Sequence, residues 1–81
     1  MTMYEFIELD MNTKAEIAWN ATFIADRIEK EDNILLFSLE DFFVELFYNV
    51  KDNEIITIRP FKSSRLLEPY SEEVDISSLL N

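Results

Sequence analysis

The stretch ILLFSLEDFFVELFYNV, Ile34 to Val50, decides the fold. It is rich in aromatic and branched residues, which suit a pleated, half-buried surface. Glu40-Asp41 interrupts it and reads as a two-residue hairpin loop between strands Ile34–Leu39 and Phe42–Val50. That loop sets Leu39 against Phe42, Phe37 against Val44 and Leu35 against Leu46. All six are apolar and share one face, whereas a slip of one residue would send the whole set to the other side.

Working downstream, Lys51-Asp52-Asn53 suits a three-residue loop with Asn in the left-handed position usually held by Gly. It pairs Tyr48 with Ile56 and Leu46 with Ile58 on the core face, and Glu45 with Arg59 on the other. Pro60 removes a ladder donor, which fits an edge strand or a strand end. Val74, Ile76, Leu79 and Leu80 make the last stretch too apolar for a free tail, so it is expected to dock on the body.

Upstream, Thr2 with Glu5 and Thr13 with Glu16 have capping-box spacing. The first predicts a short turn with Phe6 and Leu9 inward. The second predicts a helix with Ile17, Ala18 and Ala21 on one stripe and Trp19 beside it. Residues 22–29 read two ways. Ile17, Ala21, Ile24 and Ile28 extend the helical stripe to about Glu31, while period two gives a strand from Thr22 with Phe23, Ala25 and Arg27 on one face.

The expected architecture is one α+β domain over residues 1–81. An N-terminal helical segment packs on one face of a four-stranded antiparallel meander, with strands near 22–29, 34–39, 42–50 and 54–60. Leu35, Phe37, Leu39, Phe42, Val44, Leu46, Ile56 and Ile58 face the helix.

Composition narrows the chemistry. The 81 residues carry 7 basic and 17 acidic side chains, a net charge of −10, and 48% are hydrophobic. That is enough apolar content for a core and too much for a disordered chain. Cys, His and Gly are all absent. Disulfides, thiolates, imidazole bases and glycine-rich phosphate loops are therefore excluded. Neither a signal peptide nor a membrane span is legible, so a soluble cytoplasmic protein is expected. The acidic excess lies in residues 1–50 and 66–81, and only 51–65 are net positive.

Glu29-Glu31-Asp32 and Glu72-Glu73-Asp75 lack the spacing of a calcium loop, and Ser63-Ser64 and Ser77-Ser78 have no His partner. No catalytic residue, metal or cofactor is expected. Arg59, Lys62 and Arg65 form the one basic group, able to hold a phosphate or to neutralise the chain's own acids. Direct nucleic-acid binding is disfavoured by the negative field.

Phe43 and Phe47 share the face of Glu45, opposite the helix. Either the C-terminal segment covers them or they form an exposed patch for a partner or a second copy. A four-residue turn at Lys30–Asn33 would pair Arg27 with Leu36, giving a row Arg27, Leu36, Glu45, Arg59. Covered, Glu45–Arg59 is a buried structural pair; exposed, Phe43, Glu45, Phe47 and Arg59 make a mixed binding patch.

The run of Trp19, Thr22-Phe23-Ile24 and Arg27, then Phe42-Phe43-Val44-Glu45 with Tyr48, Ile58-Arg59, Leu66 to Tyr70 and Asp75-Ile76 resembles a family of small uncharacterised bacterial proteins. The resemblance covers most of the chain, and its motif is aromatic and structural. In that family a glycine commonly sits at the position of Ala21, which implies that the helix ends there and a strand begins. No activity is implied.

The function expected is that of a small non-catalytic protein of inhibitor, antitoxin, immunity-protein or nucleic-acid-mimic type. Its acidic surface, represented by Asp26, Glu29, Glu31, Asp32, Glu40 and Asp41, would contact a basic protein partner and speed association. The alternative is a homo-oligomeric structural module built on the second sheet face. An enzyme using carboxylates alone ranks last.

Overall fold

The computed structural model describes residues 1–62 and 69–70. Helices α1 (Met3–Ile7) and α2 (Met11–Trp19) precede strands β1 (Thr22–Glu29), β2 (Asp32–Leu39), β3 (Phe42–Asn49) and β4 (Glu54–Phe61). The strands form one antiparallel sheet in the order β1-β2-β3-β4. This is the expected α+β meander, with residues 22–29 as strand. The expected docking of Val74, Ile76, Leu79 and Leu80 lies outside the described residues.

The first capping box forms as expected. Thr2 Oγ1 accepts from the Glu5 amide at 3.1 Å, and Glu5 Oε1 accepts from the Thr2 amide at 2.7 Å. Those bonds hold the Glu5 carboxyl below its usual range. The second box does not form. α2 begins earlier, capped by Asp10, whose Oδ1 accepts from the Thr13 amide at 2.8 Å. Asp caps at least as well as Thr, so of two competing cap residues the upstream one adds a turn of helix. With no glycine in the chain, Lys30, Glu40 and Asn53 take the left-handed turn positions, at φ 57°, 36° and 54°.

The central register is as expected, from Leu39 opposite Phe42 to Leu35 opposite Leu46. The two flanking pairings each contain a shift. Between β3 and β4 the connection is the four residues Val50–Asn53, one longer than expected, so Asn49 pairs with Glu54 and Tyr48 with Ile55. A bulge at Ile56 then absorbs one residue of β4 and restores Leu46–Ile58 and Glu45–Arg59. Ile55 therefore takes the core-side place expected for Ile56, which is exposed.

Between β1 and β2 the turn is Lys30-Glu31, with Asp32 and Asn33 already in the ladder. Arg27 accordingly pairs with Ile34, and Leu36 with Ala25, not with Arg27. A second bulge falls between Phe23 and Ala25. An extra residue in one strand switches the faces beyond it. Phe23 thus pairs with Phe37 on the helix side, while Ala25 and Arg27 lie on the opposite face.

Two apolar clusters result, one on each face. On the helix side, Phe6, Ala18, Phe37, Phe42, Val44, Leu46 and Ile58 are buried, with Leu9, Ile17, Leu35 and Leu39 packed around them. Burial of each large side chain there is worth roughly 1.5–3 kcal/mol. On the far side, Ala25, Leu36, Phe61 and Tyr70 are buried, with Ile24 and Phe43 against them. The helices pack chiefly over β3 and β4.

Candidate functional site

Among the described residues, polar and charged groups converge on the face away from the helices. Alternation along β3 turns Phe43, Glu45 and Phe47 to that side. Glu45 is fully buried, and among the described residues it is the only buried charged side chain. A buried carboxylate is tolerated only if its lone pairs are satisfied.

Three donors converge on Glu45. Arg59, directly across on β4, reaches Oε1 through Nε at 3.1 Å and also through Nη2. Arg27, one row away on β1, reaches Oε2 through Nη2 at 3.3 Å. Tyr70 donates its hydroxyl to Oε2 at 2.7 Å. The same Arg27 lies over the Tyr70 ring at 5.5 Å and ion-pairs with Glu29 at 2.5 Å. Arg59 lies over the Phe47 ring at 5.8 Å, and Phe43 stacks on Phe61 at 5.6 Å.

Each partner is tuned by this setting. Burial, and then donation to Glu45, pushes the Tyr70 phenol well above the ordinary tyrosine range. Burial opposes the charge on Arg27, but its bonds to Glu29, Tyr70 and Glu45 outweigh that and hold the guanidinium protonated. Arg27 and Tyr70 therefore both keep their protons near neutral pH. The set ties β1, β3 and β4 to Tyr70 through one carboxylate.

Within the row Phe43, Glu45, Phe47 and Arg59, it is Glu45 that is covered. With no exposure, Glu45 cannot touch a partner, and the pairing Glu45–Arg59 is structural. Phe43 and Phe47 are half-buried beside it. Arg59 keeps 47% of its side chain exposed, so only its outer edge faces solvent. Glu45 is thus the centre of an internal ion cluster, with Phe43, Phe47 and Arg59 at its rim. Tyr70, which covers it, carried no role in the sequence reading. The signal lay in a buried carboxylate that wants a third donor, and in a tyrosine within an apolar tail that wants an acceptor.

The acidic residues do not form one surface. Glu29, Glu31 and Asp32 cluster at the β1–β2 turn, and Asp26 lies further along β1 on the helix side. Glu40 and Asp41 sit at the other end of the sheet, in the β2–β3 turn. There Asp41 meets Lys62 at 3.3 Å, and Glu40 meets the Met1 ammonium at 2.8 Å. Asp32 accepts from Asn49 at 3.2 Å. Of the basic trio, Arg59 and Lys62 are thus paired with acids of this chain, and Arg65 lies outside the described residues. Between α2 and the β2–β3 turn runs an open groove of about 640 Å³, lined by residues that include Thr13, Glu16, Asn20, Ser38 and Glu40.

Among the described residues no group of three or more Asp or Glu side chains converges as a metal site would require. No helix among them is long and apolar enough to cross a membrane. Comparisons with protein-family models, with curated proteins and with solved structures return no match.

Proposed function

We propose that this chain is a small, non-catalytic, acidic binding protein that acts on a basic protein partner in the cytoplasm. The observation that carries this reading is the division of its carboxylates. The one buried among the described residues is held inside by Arg27, Arg59 and Tyr70, while Asp26, Glu29, Glu31, Glu40 and Asp41 are exposed on a molecule of net charge −10. Such a field steers a positively charged partner and repels nucleic acid and anionic lipid. An inhibitor, antitoxin or immunity protein would use it in this way. The resemblance to small uncharacterised bacterial proteins brings no activity with it.

The test compares the wild-type chain with a variant carrying Glu29→Lys, Glu31→Lys, Glu40→Lys and Asp41→Lys. Both are immobilised and exposed to the soluble proteins of the source cell at low and raised salt. The expected result is a basic protein held by the wild type alone and released by salt. With the purified pair, the reversal then slows association more than it speeds dissociation. No protein distinguishing the two chains, together with a mass near twice 9.6 kDa that depends on concentration, would replace this reading with the homo-oligomeric one.

A further inference from the structure

We propose that the helix-side surface of β1 together with the end of α2, formed by Trp19, Phe23, Asp26 and Ile28, docks an extended segment of the partner that carries a lysine or arginine between apolar side chains. This deepens the reading above and rests on it. The three apolar members are among the most exposed large hydrophobic residues of the molecule, at 57% for Trp19, 55% for Phe23 and 76% for Ile28. They stay uncovered because the helices pack chiefly over β3 and β4, at the other side of the sheet.

The patch is built rather than incidental. Trp19 and Phe23 both set their rings edge-on to the buried Phe37, at 5.7 and 5.8 Å. Two exposed aromatics are thereby held on one rigid support, the kind of group that anchors an interface. The bulge at Ile24 completes the surface. In a regular strand Phe23 and Asp26 would point to opposite faces. Here Phe23 pairs with Phe37, Asp26 with Leu35 and Ile28 with Asn33, all on the helix side. Bulges near sheet edges commonly re-aim side chains in this way.

Charge selects the occupant. Asp26 lies between Phe23 and Ile28, and among the described residues no cation pairs with it. A second copy would bring the same Asp26 and another −10 to the contact, so like charge opposes self-association. A cationic side chain flanked by apolar ones matches the apolar–acidic–apolar order. Among the described residues β1 pairs with β2 alone, so its other edge presents main-chain groups to a segment in extended form.

Trp19 is the only tryptophan and therefore reports directly on this surface. The full chain is titrated with a peptide of alternating lysine and valine, and with a twin of alternating glutamate and valine. The lysine peptide is expected to shift Trp19 emission to the blue with saturation, and the glutamate peptide to leave it unchanged. Asp26→Lys, an exposed site whose change leaves the core intact, should weaken the lysine peptide at least tenfold, and Ile28→Ser should weaken it severalfold. Equal binding of both peptides, or equal binding by the Asp26→Lys and Ile28→Ser chains, would overturn the proposal. A basic partner found by the capture experiment that binds the Asp26→Lys chain as well as the wild type would remove this surface while leaving the wider reading in place. Dimerisation of the free chain that Ile28→Ser abolishes would also overturn it, in favour of a second copy.

Discussion

Tyr70 shows how one side chain takes two roles at once. Its ring closes the far-side apolar cluster, and its hydroxyl satisfies Glu45. Tyr70→Phe keeps the ring and removes the donor. It is expected to destabilise the fold by about 1.5–3 kcal/mol, the usual worth of a hydrogen bond to a charged group. Chemical denaturation checks this. The folded-state phenol is also raised, so its contribution has a definite sign. A group with a raised folded value stabilises fully below the unfolded value, here about pH 10, and that part is lost as pH rises above it. Absorbance titration of wild type against Tyr70→Phe should show the tyrosine removed by the substitution ionising well above pH 10. Ionisation of that tyrosine at an ordinary pH, with the fold intact, would contradict the buried donation. Lys30 tests a different residue-level feature. Its φ of 57° costs a side-chain-bearing residue about 1–2 kcal/mol. Lys30→Gly removes that strain but gives the chain more freedom to lose on folding, and a net gain near 0.5–1 kcal/mol is expected from thermal melts.

At the level of elements, the cap of α2 separates two readings of one sequence. Asp10→Ala should cost about 1 kcal/mol, while Thr13→Ala should change stability by less than about 0.5 kcal/mol. Equal effects would favour the later helix start. The same element shows what sequence patterns carry. Both Asp10 and Thr13 are cap residues, and spacing to Glu16 favoured the wrong one. The central hairpin was legible because six apolar residues and a two-residue loop allow only one register. Its neighbours were legible only in part. A three-residue loop, and a four-residue loop followed by a bulge, place Glu45 opposite Arg59 equally well. The pair could therefore be read while Ile56 could not. Bulges carry no composition signal in a glycine-free chain, so the face of Phe23, and with it the exposed patch, was invisible. The link from Arg27 to Glu45 was found through the wrong row. A long guanidinium reaches diagonally across strands, which conceals a register error of this size.

For the whole molecule, charge acts on stability as well as on the recognition proposed above. The described residues span 35 × 30 × 19 Å, comparable with the Debye length of roughly 30 Å at 0.01 M salt. At low salt, repulsion among the exposed carboxylates extends across the entire protein. Raising salt from about 0.01 to 0.15 M, where the screening length falls to roughly 8 Å, should therefore raise the denaturation midpoint. A falling midpoint would mean that surface ion pairs outweigh self-repulsion. The ion cluster is less exposed to this screening, because Glu45 is sealed between the sheet and Tyr70. The central claim is that this cluster belongs to the fold and that recognition lies elsewhere. Urea unfolding of the wild type, Glu45→Gln, Arg59→Met and the double variant tests it most directly. Glu45→Gln is expected to cost about 3–5 kcal/mol by leaving Arg59 without its carboxylate and Arg27 with Glu29 alone, with the double variant well short of the sum of the singles. A loss under about 1 kcal/mol, as for an exposed pair, with strictly additive effects, would contradict it.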